Sequence, residues 1–470
     1  MQRGFSRNSC FLCEIQPPVG NVILPNREFA LDLLYIYRMS KERGELPMTT
    51  NVFQAPASKK PWQHFAILVL PFLTVAASFH WMAATFPTFH GVDETVCHFP
   101  VIQKYFAELP SPDFSDSCSS SGPLFHIIFA VVARVVGLNL QALRLVNVLV
   151  SVLAVFLFYD IVGRFTRGNA ALLFALLFGL SPYFFGASFL LLTDNLGILF
   201  ALLSLRSFFL ARETGMPLPW IAFCFWTCLA TVTRQPYVWL CVGAGLGLVM
   251  EDGPLRLRAW KASALLLACV PLILLIVLWR GLTPPMTQKL SVAPALNWRA
   301  GIFGVSVFGL YWMGLFPAEF VGMIRRLRQA TPPALAGSLM VPLALLFLMP
   351  LTAQVGDDGI LWRLSRLLPS MGGTGLMFWF LFPVGLLFFW QAARSEEKMT
   401  PALLLMAVAF LLCSLPNAKM YEKYYDPFVI MFIIFMGARD QVSSALSKFS
   451  RSLLLFAFAC YPFVSWRLSP

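Results

Sequence analysis

Asp93 and Glu94 are adjacent carboxylates just beyond Phe65–Phe86, an apolar stretch long enough to cross a bilayer. Carboxylates are costly to keep beside lipid, so a pair held there is a functional candidate. The pair sits in a polar loop, residues 87–122, containing Gly91-Val-Asp93-Glu94, then His98-Phe-Pro100, then Gln103-Lys104-Tyr105. A carboxylate so placed can take a proton from a hydroxyl as general base. The plainer role is capping. Val96, Phe99, Ile102, Tyr105 and Phe106 recur at the spacing of an amphipathic surface helix, with Pro100 tolerable in its first turns. Acids at its start suit the helix dipole. Capping, however, needs one acid and contributes only about 1 kcal/mol.

Other polar residues are expected on the same side of the membrane: Asp194, Arg234, Gln235, Lys289, Arg299, Asp357, Asp358, Arg363, Arg366, Lys419 and Lys423, with His98 and Lys104 in the loop. Arg234-Gln235 joins two spans, where the guanidinium could bind a phosphate or snorkel to the surface. Asp194 has apolar flanks and must face protein or a wet cavity. It could hold a divalent ion with Asp93, or pair with Arg144 or Arg234. Arg144 and Asn147 share one helix face and suit structural roles. Walker A, His-Glu-x-x-His and G-x-S-x-G motifs are absent.

The elements that must position these residues are membrane helices. Of 470 residues, 58% are hydrophobic and 12% charged, with a mean hydropathy of +0.72. Continuous apolar runs predict an all-α polytopic bundle of about thirteen spans and exclude a β-barrel. After Phe65–Phe86 the spans are expected at 141–162, 169–186, 189–210, 218–233, 236–250, 262–280, 302–322, 334–353, 373–391, 401–415, 425–438 and 452–467. Residues 123–137, with His126 and Arg134, fit a half-inserted interfacial helix.

The net charge of +12 is spread over short clusters between spans, as cytoplasmic loops require, so nucleic acid is not an expected partner. Arg164/Arg167, Arg206/Arg212, Arg256/Arg258/Lys261 and Arg325/Arg326/Arg328 mark one such face. Residues 1–64 are expected to be a cytoplasmic N-terminal segment, with 1–47 a possible misassigned start. Of ten cysteines, Cys10 and Cys13 lack the second pair a zinc site needs. Cys97 and Cys118 leave both a disulfide and two free thiols open.

The loop motif resembles the first outer loop of GT-C glycosyltransferases, membrane enzymes that use polyprenyl-phosphate sugars. Within that superfamily the nearest pattern is the dolichyl-phosphate-glucose-dependent α-1,2-glucosyltransferase family. Leu143-Arg144 through Asn147 to Ser151, Ser181-Pro182-Tyr183 leading to Thr193-Asp194-Asn195, and Thr233-Arg234-Gln235 agree in order. The likeness covers residues 65–250, the expected catalytic module. Residues 251–470 form a variable module with one echo, Tyr421-Glu-Lys-Tyr-Tyr425-Asp-Pro427. The family often carries two prolines where this chain has Gly122-Pro123.

The resemblance implies an inverting glycosyltransferase at the non-cytoplasmic face. Asp93 would be the base, with Glu94 orienting it or recognising a sugar hydroxyl. Arg234, Gln235, Asp194, His98 and Lys104 would serve the donor's phosphate and sugar. The implied partners are a polyprenyl-phosphate sugar, a glycan, lipid or protein acceptor, and the bilayer. No metal or other cofactor is expected. The rival is a transporter or lipid flippase, which would place ionisable groups at mid-bilayer in repeated halves. The missing Asn-x-Ser/Thr acceptor and retrieval tail favour a bacterial inner membrane over the endoplasmic reticulum.

Overall fold

Proline and the need to satisfy backbone groups in lipid decide where these helices break. The computed structural model describes residues 61–82, 92–166, 169–329, 332–352, 359–397, 399–437 and 445–468. Residues 55–470 form one compact unit. Cys10, Cys13, Asp357, Asp358 and most of the N-terminal segment lie outside the described residues.

Helix α1 (Pro61–Met82) precedes a π-turn, Glu94–His98, which runs on into α2 (Phe99–Glu108). Pro100 has no N–H to give, and the wider register absorbs this: the Phe99 N–H donates to the Glu94 carbonyl, five residues back. Helix α3 (Leu124–Val136), at thirteen residues, is too short to cross a bilayer, and Arg134 donates to the Phe106 carbonyl of α2 at 2.6 Å.

Helix α4 (Leu140–Gly163) is capped by Asn139, whose side chain accepts from the Gln141 and Ala142 N–H groups. The expected 169–186 span divides into α5 (Ala170–Gly179) and α6 (Pro182–Ala187), because Ser181 is driven extended by the proline after it. The next helix begins at Asp194, not at 189: α7 is Asp194–Thr214, and 188–193 is not helical. Helix α8 (Pro217–Thr233) meets α9 (Trp239–Val249) through a 3-10 turn, Gln235–Val238.

Beyond α10 (Leu255–Trp279) and the short α11 (Pro285–Ser291), the span expected at 302–322 is broken. Helices α12 (Trp298–Leu315) and α13 (Pro317–Arg328) bend by 108° at Pro317, which puts the Arg325/Arg326/Arg328 cluster on the turned-away helix. Then follow α14 (Pro332–Leu348), α15 (Ile360–Leu367), a two-residue hairpin pairing Ser370–Met371 with Thr374–Gly375, α16 (Leu376–Ala393), α17 (Thr400–Ser414), α18 (Asp426–Gly437) and α19 (Ala445–Leu468).

The chain is an all-α, multi-pass membrane protein. Among the described residues, four helices are long and apolar enough to cross a bilayer, or five with the bent pair. Shorter apolar helical stretches of 10–17 residues accompany them, and one of these, α5, is part of an expected span cut at Ser181. Lipid tails give helices no hydrophobic reason to associate, so close packing does the work. Gly309 of α12 and Gly385 of α16 let two backbones touch, since a Cβ on either would collide with the other helix's carbonyls. Helix α18 is buried all round, and its Phe435 stacks on Phe158 of α4 at 5.4 Å.

The two ends of the bundle differ in chemistry. Asp160 holds Arg206 and Arg164, while Glu251 holds Lys261 and Arg212. Asp194 and Arg212 cap opposite ends of α7, a separation of roughly 30 Å. The acid pair and its partners therefore gather at the end away from this basic face.

Candidate active site

Glu94 and Asp93 have opposite environments although they are neighbours. Glu94 is fully buried. Arg144 of α4 grips both of its oxygens, Nε donating at 2.9 Å and Nη2 closer, and the Leu191 N–H donates to Oε1 at 2.7 Å. Such a bidentate, hydrogen-bonded pair is the geometry a buried ion pair needs. Glu94 thus ties the π-turn to α4 and to the irregular segment after α6.

Asp93, one residue earlier, makes no side-chain capping bond. Its half-buried carboxylate lies 3.9 Å from Lys423 Nζ. Burial raises its proton affinity above the ordinary carboxylate, Lys423 opposes this, Asp194 adds to it, and Lys419 also opposes. The plain capping role is therefore not what its geometry shows.

The floor beside these acids is the non-helical stretch 188–193, whose backbone must find side-chain partners. Asn147 of α4, wholly buried, donates to the Ala187 and Leu190 carbonyls at 3.0 and 2.7 Å. Asn195 donates to the Phe184 carbonyl and to the Ser151 and Ser188 hydroxyls. Arg144 and Asn147 are structural, as their shared face implied.

Asp194, at the start of α7, forms a short ion pair with Arg234 at the end of α8. This realises one of the pairings left open by the sequence; Arg144 is taken by Glu94. Arg234 also lies over the Tyr424 ring at 5.2 Å. Gln235 donates to the Ser120 carbonyl at 3.2 Å, and the Gly122 N–H donates to the Thr233 carbonyl at 3.0 Å, so the first loop is sewn to the α8–α9 junction. Glycine is required at 122 because its Cα touches this junction: a Cβ there would collide with the Val232 carbonyl.

Two expected binding residues are differently placed. His98 is buried, stacked on His126, with Nδ1 3.0 Å from His126 Nε2. Burial pulls its proton affinity down to about 4, so it packs behind the site as a neutral ring. Lys104 turns to the outer surface of α2, 3.9 Å from Asp113 Oδ2 and donating to the Asp113 carbonyl at 3.3 Å. Both contacts account for these residues without a donor sugar.

Sequence reasoning assigned no role to the turn Tyr421–Tyr425. The Tyr421 and Tyr424 rings pack edge to face with centroids 5.5 Å apart; Lys423 Nζ lies beside the pair, 5.5 and 5.4 Å from their centroids, and Lys419 lies 5.6 Å from Tyr421. The signal was present as the Tyr421–Pro427 echo, a lysine among tyrosines just before a late span. The Cys97 thiol donates to the Cys118 carbonyl at 3.2 Å and the Cys118 thiol to the Val96 carbonyl at 3.7 Å; both thiols are free. Among the described residues no group of three or more His, Cys, Asp and Glu is arranged to hold a metal ion.

A half-buried carboxylate beside ring-flanked cations can accept a proton while those cations meet an anion. Residues 120–279 match a family model described as dolichyl-phosphate-mannose-protein mannosyltransferase. That stretch contains Arg144, Asn147, Asp194 and Arg234; Asp93 and Glu94 precede it and Lys423 follows it. The comparison with curated proteins gives no match.

Among solved structures, the chain is similar to ArnT from Cupriavidus metallidurans in the apo state. Identity is 15% over 82% of this chain and 62% of that chain, with a TM-score of 0.44. The chain thus spans less than two thirds of that protein's length. It is also similar to ArnT from Cupriavidus metallidurans bound to undecaprenyl phosphate, at 13% identity over 79% and 77% of the two chains, with a TM-score of 0.38.

Proposed function

We propose that this chain is a GT-C-type glycosyltransferase that moves a hexose from a polyprenyl-phosphate donor to an acceptor hydroxyl at the non-cytoplasmic membrane face. The observation that carries this reading is the Asp93 carboxylate, uncapped and half-buried, beside Lys423. The similarity of residues 120–279 to a mannosyltransferase family supports the reaction class.

In this reading Asp93 accepts the acceptor's hydroxyl proton as that oxygen attacks the anomeric carbon. The bond from that carbon to the phosphate oxygen breaks on the opposite face, so the configuration inverts. One base suffices, because no sugar becomes attached to the protein. Lys423, Lys419 and Arg234 supply positive charge near the leaving phosphate, each held by an aromatic ring or an ion pair. Glu94 does not touch substrate; through Arg144 it fixes the turn that presents Asp93. Residues 65–250 contribute the base and the Asp194–Arg234 pair, and residues 251–470 contribute Lys423.

The test is sugar transfer by the purified protein from radiolabelled polyprenyl-phosphate glucose and mannose to a panel of glycan, lipid and peptide acceptors. Asp93→Asn should keep the fold and donor binding but lower turnover by roughly 10²-fold or more, as loss of a general base does. Transfer at the wild-type rate would eliminate the reading. The family resemblance favours glucose, and preferential transfer of mannose would correct that choice alone.

A further inference from the structure

The turn carrying Lys423 is built more firmly than a surface loop requires. Glu422, buried beside it, accepts from the Tyr183 hydroxyl at 2.6 Å, from the Ile360 N–H at 3.0 Å and from the Leu361 N–H. The turn closes on itself through the Tyr425 N–H to the Glu422 carbonyl at 2.8 Å. The Trp362 indole holds the preceding residue, donating to the Met420 carbonyl at 2.9 Å. The packed Tyr421–Tyr424 pair then flanks the Lys423 side chain, which is only 13% exposed.

We infer that Lys423 is a positioning residue for Asp93, a largely buried cation flanked by two rings that keeps the carboxylate in place and charged. This rests on the proposed role of Asp93 as base. A free lysine would spend rotamer freedom on such a pair and gain little. Here the rings and the anchored turn have already restricted it. The same rings face a desolvated ammonium, where their attraction for a cation is strongest.

The groups around Asp93 make a fixed cation necessary. Asp194, paired to Arg234, repels a second negative charge; Lys419 lies over Tyr421 and acts on Asp93 more weakly than Lys423; the Cys97 thiol is near; Glu94 is engaged by Arg144, and Glu422 by Tyr183. Without the Lys423 ammonium, a half-buried carboxylate beside Asp194 holds its proton more tightly and is free to swing.

The test is the pH profile of kcat/KM for transfer by the full chain in detergent, comparing Lys423→Gln and Lys423→Arg with the parent and with Asp93→Asn. We expect Lys423→Gln to move the acid limb to higher pH by about one unit, and Lys423→Arg to restore it. An unmoved limb, or a raised donor KM with an unmoved limb, would overturn the inference and leave Lys423 a phosphate contact only. Should Lys423→Gln not fold, Tyr421→Leu removes one of the two flanking rings; it should move the limb in the same direction by less, and an unmoved limb there overturns the inference equally. An active Asp93→Asn would instead remove the parent reading, whatever Lys423 does.

Discussion

Arg144 holds Glu94 by both carboxylate oxygens while Asp93, the adjacent residue, makes no capping bond and points at Lys423. One acid carries the architecture and its neighbour carries the proposed chemistry. Because a helical turn separates neighbouring side chains by about 100°, anchoring one fixes where the other points.

Breaking that anchor from either side should be costly. Glu94→Gln and Arg144→Gln are each expected to destabilise the protein by about 3 kcal/mol, since each leaves a buried charge unpaired. The double variant should lose less than the sum of the two. Thermal unfolding in detergent measures this, and strictly additive losses would contradict the pairing.

Acid should switch transfer off earlier than an ordinary aspartate would. Burial and Asp194 raise the Asp93 proton affinity above its usual 3.8. A base works only when deprotonated, so activity is present above the raised value and lost as pH falls through it. The acid limb of kcat/KM should therefore lie above 3.8. A limb at or below that value would show that Asp93 does not set it.

Arg234 is the guanidinium best placed to exchange Asp194 for a donor phosphate. Arg234→Gln should raise donor KM about tenfold or more, because a charge-assisted contact of roughly 1.5–3 kcal/mol is lost. Kinetics with a fixed acceptor and varied donor check this. An unchanged donor KM would reassign the phosphate to Lys423 and Lys419.

Gly122→Ala should be harmful although alanine is small and the loop is polar. Its Cβ meets the Val232 carbonyl, a backbone atom that cannot rotate aside. Overpacking of this kind costs about 1–3 kcal/mol and should also loosen the bond from Gly122 to Thr233. Unfolding temperature and transfer rate would both fall; an unchanged protein would show that the junction yields.

The sequence made the class of fold plain, because apolar runs of spanning length admit few alternatives. It also pointed to the amphipathic helix after the acids and to the short interfacial helix at 124–136. It hid the breaks. The stretches around Ser181, 188–193 and Phe316 are as apolar as the helices they interrupt, and only tertiary partners such as Asn147 and Glu94 make irregular backbone tolerable there. Asp194 was legible as a residue that must be paired, but its choice of Arg234 over Arg144 depended on Glu94 claiming Arg144. His98 and Lys104 looked suited to a ligand because they share a loop with Asp93; one faces inward to a second histidine and the other outward to Asp113. Lys423 was overlooked as part of the site because proximity across 330 residues leaves no local spacing to read.

The six residues from Ser188 to Thr193 do not hold their shape alone, since the Ser188 and Leu190 carbonyls and the Leu191 N–H are tethered by side chains from elsewhere in the chain. A slip of α4 by a single residue would swing Asn147 and Arg144 away together and strand those carbonyls and amides in hydrocarbon. Insertion of that helix is therefore proofread chemically: the misregistered bundle is penalised right beside the acid pair.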